Sequence, residues 1–450
     1  MTFSRRQIAY VINTVILAGV VGLIMSSDKL RSSTETEKSA DDSKHYYGPG
    51  DNKQGYDSIN YKTNALDLQK RIGKKANLLE FVNNPPLGLP PVPVPADNPV
   101  TEEKVSLGRR LFFDRRLSIN DTFSCAICHI PEQGFTNNEI QTAVGVEGRS
   151  GKRNSPMSYN VAYLELIFHD GRESTLEQQV WSPFLARNEM ANPSIGYVID
   201  KIKAIPEYKG LFEKAFDGRG PTMETVGMAL SSYQRTLNSA DSPFDRWHFG
   251  KQEDAVSEQV KKGFELFNGK ATCSACHLVH EDYALFTDNQ LHNTGLGYQA
   301  SMGIQGKTTR VQLAPGVYAE LDNEVIKAVS RPKANDVGRY EVTENPNDRW
   351  KFRTPTLRNV SLTAPYMHDG SLHTLRQVVE FYNQGGVPNE VLSPLIKPLE
   401  LTNEEMDDVV AFMMSLTGSN IGVLVADAFA APIGDISKDD PNWAHEKKAE

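Results

Sequence analysis

All four cysteines of this 450-residue chain fall into two copies of one motif, Cys125-Ala-Ile-Cys128-His129 and Cys273-Ser-Ala-Cys276-His277. In such a string two thiols can each form a thioether to one edge of a porphyrin, and the adjacent imidazole can reach the iron as proximal ligand. Each motif therefore points to one covalently attached haem c, with His129 and His277 on the irons. A four-thiolate zinc site assembled from both Cys-x-x-Cys pairs is the competing use of these cysteines, but it leaves both histidines without a role. A thioredoxin-like redox motif would need a βαβ pattern, which the flanking sequence lacks. No cysteine is left over for a disulfide framework.

The motifs mark an architecture written twice. Residues 101–116 have helical character and lead to the first motif. Residues 256–267 align Val256, Val260, Phe264 and Phe267 on one helical face and lead to the second. Each unit closes with an amphipathic helix, Thr222 to Leu237 in the first and Thr402 to Leu416 in the second. Thr402 and Glu405 have the spacing of a capping box. Strand signals are sparse. The expected fold is mainly α, with two haem domains in tandem and little sequence identity between them: an N-terminal one over 99–245 and a C-terminal one over 246–418, followed by an extension, 419–450.

Residues 1–31 read as a targeting segment. Arg5 and Arg6 precede an uncharged run from Ile8 to Met25, about 27 Å of helix and enough to span a bilayer. No A-x-A cleavage site follows, which favours an uncleaved anchor over a cleaved signal. Haem c is attached to unfolded chains on the far side of the membrane, which argues against twin-arginine export of folded cargo. The expected location is the periplasmic side of the bacterial inner membrane. Residues 32–98 read as a tether, with a short helical stretch around Leu66 to Phe81 and the proline-dense PPLGLPPVPVPADNP at its end. A spacer is the favoured reading of that end, and a strap along the first globular domain is the alternative. The 48 basic and 57 acidic side chains leave a net charge of −9, which would repel a phosphate backbone and excludes nucleic acid as the expected partner.

The strings LGRRLFFDRRLS, SCAICHIPEQGFTN, RNSP, HDGRESTLEQQ, GRYEVT and FRTPTLRNVSLTAPYMHDG resemble, over about 88–435, the bacterial dihaem cytochrome c peroxidase family, in particular its MauG-like branch. The resemblance implies two cytochrome c-like domains facing each other with a calcium ion between them. It implies that the N-terminal haem meets hydrogen peroxide and that the C-terminal haem stores or relays an electron. It places Gln179 and Glu189 at the family's distal glutamine and catalytic glutamate. Peroxide cleavage needs an open coordination position, a base for one proton and an acid for the departing oxygen, and a carboxylate serves both roles. Composition alone would make Glu189 a solvated loop acid. Asn154, Thr363 and Pro365 match the family's calcium position, whose oxygen ligands suit that ion. In some members a histidine before the RNSP string closes the peroxide site at rest; none occurs from Gln141 to Pro156, so the first haem is expected to keep an open distal side.

Two positions depart from the peroxidase pattern. The family's tryptophan between the haems, just before the DGR triplet, is His169 here. Imidazole is a poor hole relay, and His169 can instead be a proton shuttle, a propionate partner or a buried, satisfied residue. Peroxidases place a methionine on the second haem eight residues after a threonine; counting from Thr374, that position is Tyr382, as in MauG-like members. A phenolate favours oxidised iron where a thioether favours the reduced form. Three functions follow: a peroxidase reducing hydrogen peroxide with electrons from a cytochrome c or another donor, a MauG-like enzyme oxidising side chains of a partner protein, and a non-enzymatic dihaem electron carrier.

Overall fold

The computed structural model describes residues 73–304, 308–314, 317–329 and 335–431. Each half is organised around one helix pair. In the first, α1 (Glu102–Phe113) is started by Thr101, whose side chain accepts from the Lys104 amide, and it buries Val105, Leu111 and Phe112. It packs against α2 (Met223–Gln234), which opens with a capping box between Thr222 and Thr225. In the second half, α3 (Glu258–Asn268) buries Phe264 and Phe267. Between α3 and the closing helix lies α4 (Leu375–Asn383), capped by Thr374. The closing helix, α5 (Asn403–Met414), begins with the Thr402–Glu405 capping box that the sequence pattern predicts and packs across α3.

Both helix pairs close on a glycine. A Cβ on Gly108 would stand 1.9 Å from the Ala229 carbonyl oxygen, and one on Gly263 would stand 2.0 Å from that of Asp408. No side chain fits either crossing, so the sequence signs of close helix contact are Gly108 in LGRRLFF and Gly263 in KKGFELF.

The repetition runs deeper than the expected scaffold with little sequence identity. NVAYLELIFHDG and NVSLTAPYMHDG occupy equivalent places. Asn160 and Asn359 both take φ of 60°. Each leads into a 3-10 turn, Val161–Tyr163 or Val360–Leu362. The bridges Ile167–Glu173 and Tyr366–Leu372 then follow at the same spacing, and so do the capping threonines Thr175 and Thr374. The shared residues sit at backbone-determining positions, which is why overall identity conceals the repeat.

Strands are few among the described residues, as expected. β1 (Leu291–His292) pairs antiparallel with β4 (Phe352–Arg353). β2 (Thr308–Ala314) and β3 (Val317–Asp322) form a hairpin within the second half that the sequence pattern does not reveal.

The proline-dense stretch is not a free spacer in the structure. The Asp241 amide donates to the Leu87 carbonyl at 2.9 Å and the Ala284 amide to that of Gly88 at 3.1 Å. The Tyr163 hydroxyl donates to Pro90. Asn98, buried, donates to Glu177 and to the Met228 carbonyl. Apart from two local turns, Leu89 amide to Pro86 carbonyl and Asn98 amide to Pro95 carbonyl, the segment satisfies its polar groups on its neighbours, and it does so on both halves. At its centre Arg358 and Asp245, both fully buried, pair at 2.9 Å, and Arg358 also donates to Gly88. The first part of the helix expected around Leu66 to Phe81 lies outside the described residues; from 73 on, a short helix forms at Glu80–Asn83.

The segment after 418 does not trail away either. Helix α6 (Ile421–Phe429) returns to the first half, where Leu424, Val425 and Ala428 join the core of α1 and α2. There Asp427 pairs with Arg109 at 2.6 Å, both buried, and accepts from the Ala76 amide. The anchor expected over Ile8–Met25 lies outside the described residues; among them no helix is long and apolar enough to cross a membrane.

Candidate functional site

Each Cys-x-x-Cys-His motif lines its own cavity. The first has a volume of about 450 Å³ and holds Cys125, Cys128 and His129. The second, about 270 Å³, holds Cys273, Cys276 and His277. The two imidazoles are oriented alike. His129 Nδ1 donates to the Phe135 carbonyl at 3.0 Å, and His277 Nδ1 donates to that of Phe286 at 2.8 Å. Both acceptors are phenylalanines with positive φ, 52° and 53°. Burial lowers both histidines, so each ring is neutral with its lone pair on Nε2. That is the tautomer an iron ligand needs, with the second nitrogen fixed by a carbonyl.

The thiols are electrically quiet. Burial pushes Cys125, Cys128 and Cys273 up to about 12, and Cys276 to about 11. The four sulfurs do not converge on a single metal centre. Among the described residues the one cluster of side chains with metal-ligand geometry is Cys276 with Asp288 and His292. Two separate cavities, each with a thiol pair and a neutral imidazole presenting Nε2, fit two c-type haems and not one zinc ion.

Both residues expected on the distal side of the first cavity lie in its wall. Gln179 ends the short helix Leu176–Gln179, which Thr175 caps. Glu189 follows on the loop beyond the next short helix, Trp181–Leu185, and its carbonyl accepts from the Val146 amide at 2.9 Å. Burial pushes the Glu189 carboxyl above the usual range, and the Arg172 guanidinium opposes that shift. Arg172 lies 3.5 Å above the Phe168 ring, bonds Asp170 at 3.0 Å and lines the same cavity. Arg172 belongs to the HDGREST string, but nothing in a single sequence ties it to Glu189, because their meeting depends on how two loops fold back.

Tyr382 lies near the end of α4 and lines the second cavity with the thiols and His277. Burial raises its phenol well above the ordinary value, and Cys276 and Cys273 add to the shift. Its hydroxyl has no hydrogen-bond partner among the described residues. Met367 and Met413 line the same cavity, whereas Met414 does not.

The cavities share a wall. Asn154, His169 and Arg353 line both. His169 Nε2 donates to the Asn154 carbonyl at 2.9 Å, and burial lowers this imidazole to about 3. His169 is thus a neutral, hydrogen-bonded residue of the partition. Thr363 and Pro365 meet Asn154 in the lining of the second cavity. Asn154 commits its amide nitrogen to the Gln141 carbonyl at 3.0 Å, which leaves its Oδ1 free to accept. Arg353, which sequence reasoning passes over inside the FRTP string, is the charged member of the partition.

These features recur in known proteins. The family model for di-haem cytochrome c peroxidase matches residues 102–253. The cytochrome-c peroxidase IdrP1 of Denitromonas iodatirespirans is 38% identical over 337 residues, covering 74% of this chain and 86% of that protein. The methylamine utilization protein MauG of Methylorubrum extorquens is 37% identical over 326 residues, covering 72% and 81%. The crystal structure of a MauG-like protein associated with microbial copper homeostasis superposes with a TM-score of 0.62 at 30% identity, covering 78% of this chain and 98% of that one. With such identity over most of its relatives' length, and with a haem-fitting cavity at each motif, the chain belongs to the di-haem cytochrome c peroxidase family, haem c-containing oxidoreductases.

Proposed function

We propose that the chain reduces hydrogen peroxide in the cavity of the first half, with electrons entering through the second. The observation that supports this most directly is Glu189, a desolvated carboxyl in the first cavity wall within electrostatic reach of Cys125 and Cys128. Haem c at Cys125, Cys128 and His129, and a second at Cys273, Cys276 and His277, supply the iron and the electrons for cleaving the peroxide O–O bond. Glu189 takes the first proton from the incoming peroxide and returns it to the departing oxygen. Its raised affinity for protons brings it closer to the working pH, which suits a group that must both accept and donate. Gln179 orients the substrate by hydrogen bonding, and Arg172 opposes the upward shift of Glu189 and so favours the carboxylate form that acts as base. In this reading 99–245 is the peroxidatic domain and 246–418 the electron-transfer domain. A calcium ion at Asn154, Thr363 and Pro365 would tie them together. Family membership sets aside the non-enzymatic carrier.

Tyr382 favours a second reading. Tyr382 would hold a haem bound at Cys273, Cys276 and His277 as its phenolate, which would make that haem a poorer acceptor from cytochrome c and a better reservoir of oxidising equivalents. That suits oxidation of a partner protein, the MauG-like alternative. An ultraviolet–visible spectrum before and after one equivalent of peroxide, followed by turnover with excess reduced cytochrome c, tests both. Sustained cytochrome oxidation supports the peroxidase, while a long-lived oxidised state without turnover supports the protein-oxidising enzyme. Failure of peroxide to change the spectrum removes both.

The Ile8–Met25 run supports anchoring on the periplasmic side of the inner membrane. Fractionation should leave the protein with membranes, and a soluble periplasmic form beginning near Ser26 would overturn this.

A further inference from the structure

Arg353 is a buried cation with no carboxylate partner among the described residues. It is 7% exposed. Its Nε donates to the Phe168 carbonyl at 3.3 Å and its Nη1 to that of Thr354 at 3.0 Å. Both acceptors are neutral, and Nη2 has no acceptor among the described residues. Burial pulls the guanidinium down to about 10, and no carboxylate offsets that. The other buried arginines behave differently: Arg109 has Asp427, Arg235 has Glu177 and Arg358 has Asp245, and the nearby Arg153 has Asp170 and Asp336. A buried charge without a partner is costly, so a guanidinium left this way is matched to an anion from outside the chain.

The position of Arg353 indicates which anion. It stands in the partition and lines both cavities. It is also the repeat equivalent of Asn154. The Asn154 amide donates to the His368 carbonyl at 2.8 Å, and the Arg353 amide donates to the His169 carbonyl at 2.7 Å. The partition is therefore symmetric in its backbone and asymmetric in charge, with an amide on one side and a guanidinium on the other.

We propose that Arg353 is a carboxylate-binding residue shared by the two cavities, pairing with a propionate of each haem. Its spare N–H groups form a planar fork suited to carboxylates. The proposal rests on the reading that both cavities hold haem c. One guanidinium serving both groups couples them electrostatically, and its backbone amide is bonded to the His169 carbonyl in the same partition. Arg353 is thus a positioning residue and not a catalytic one.

The test uses the holoprotein. Arg353→Lys keeps the charge but loses the fork, and Arg353→Gln loses both. Resonance Raman spectra should show the propionate bending bands of both haems shifted in each variant. Redox titration should show both midpoint potentials lowered in Arg353→Gln, because removing a fixed positive charge favours the ferric state, with Arg353→Lys closer to wild type. Where Arg353→Gln fails to fold, the Raman bands of Arg353→Lys carry the test. Unshifted bands in a protein that retains two haems would overturn the inference and leave the function untouched. A shift confined to one haem overturns the sharing. A purified chain without covalent haem overturns the reading beneath as well.

Discussion

Arg353 and His169 are joined main chain to main chain, by an amide-to-carbonyl bond of 2.7 Å, and the equivalent pair Asn154 and His368 makes the reciprocal bond at 2.8 Å. The two halves thus exchange equivalent hydrogen bonds, each satisfying a backbone group of the other. His169 adds a side-chain bond to Asn154.

Replacing Glu189 with Gln preserves size and hydrogen bonding but removes the proton acceptor. Both haems should remain bound, and the reaction with peroxide, followed by stopped-flow absorbance, should slow by ~10²–10⁴-fold. Unchanged rates would remove Glu189 from the mechanism.

Tyr382→Phe deletes the phenol oxygen while keeping the ring on α4. The ferric spectrum of the C-terminal haem should change and that of the N-terminal haem should not. If neither changes, or if wild type shows a sulfur–iron charge-transfer band, Tyr382 is a packing residue. Met367 and Met413, which share its cavity, then become the ligand candidates.

Asp245→Asn removes the negative partner of Arg358 at a site where both side chains are fully buried. An uncompensated buried charge costs ~3–5 kcal/mol. Urea denaturation of the holoprotein should show a loss of that order. Replacing both residues with apolar side chains of similar volume should recover much of it.

Gly108→Ala and Gly263→Ala should each cost ~1–3 kcal/mol, because the new methyl group must push a crossing helix away. Gly422→Ala is the contrasting case: it lies in α6, where an added Cβ meets nothing within 4 Å. There the substitution should raise stability by ~0.5–1 kcal/mol through the helix preference of alanine. Thermal denaturation of the three variants distinguishes steric crossing from helix propensity.

Burial pushes Glu177 up, but hydrogen bonds from Arg235, Asn98 and Ser231 outweigh it and bring this carboxyl from 4.5 to about 2. A folded-state value below the unfolded one contributes stability that is complete above the unfolded pKa. That contribution is lost as pH falls from 4.5 toward 2. Glu177→Gln should therefore be less stable than wild type at neutral pH, with the gap narrowing across that acid range. A pH-independent difference in urea midpoints would show that the carboxylate contributes no linked stability.

Helices α1, α2, α3 and α5 are legible in the sequence because each shows a 3.6-residue apolar stripe and a threonine or serine cap, which are local signals. Glu189 and Tyr382 emerge only through family resemblance; neither stands in a pattern that periodicity or spacing could single out. The sequence also contains the NV…HDG repeat, but its matches sit at left-handed turns and caps, where a periodicity search is blind. The segments on either side of the haem halves mislead for a related reason. Proline-rich polar chain and a short apolar helix look peripheral when read alone. Their partners, Arg358 and Asp245 for the strap and Arg109 for α6, lie far away in sequence.

By itself, then, the sequence determined the chemistry that covalent geometry imposes: two thiols and a histidine on adjacent turns can hold a porphyrin whatever surrounds them, and two such motifs imply two haems. Only the tertiary structure decided how the sites relate. Desolvating Arg353, fixing His169, matching Arg172 to Glu189 and exchanging backbone bonds between Asn154 and His368 all depend on burial and on contacts between residues distant in the chain. Such contacts have no local energy for a sequence pattern to record.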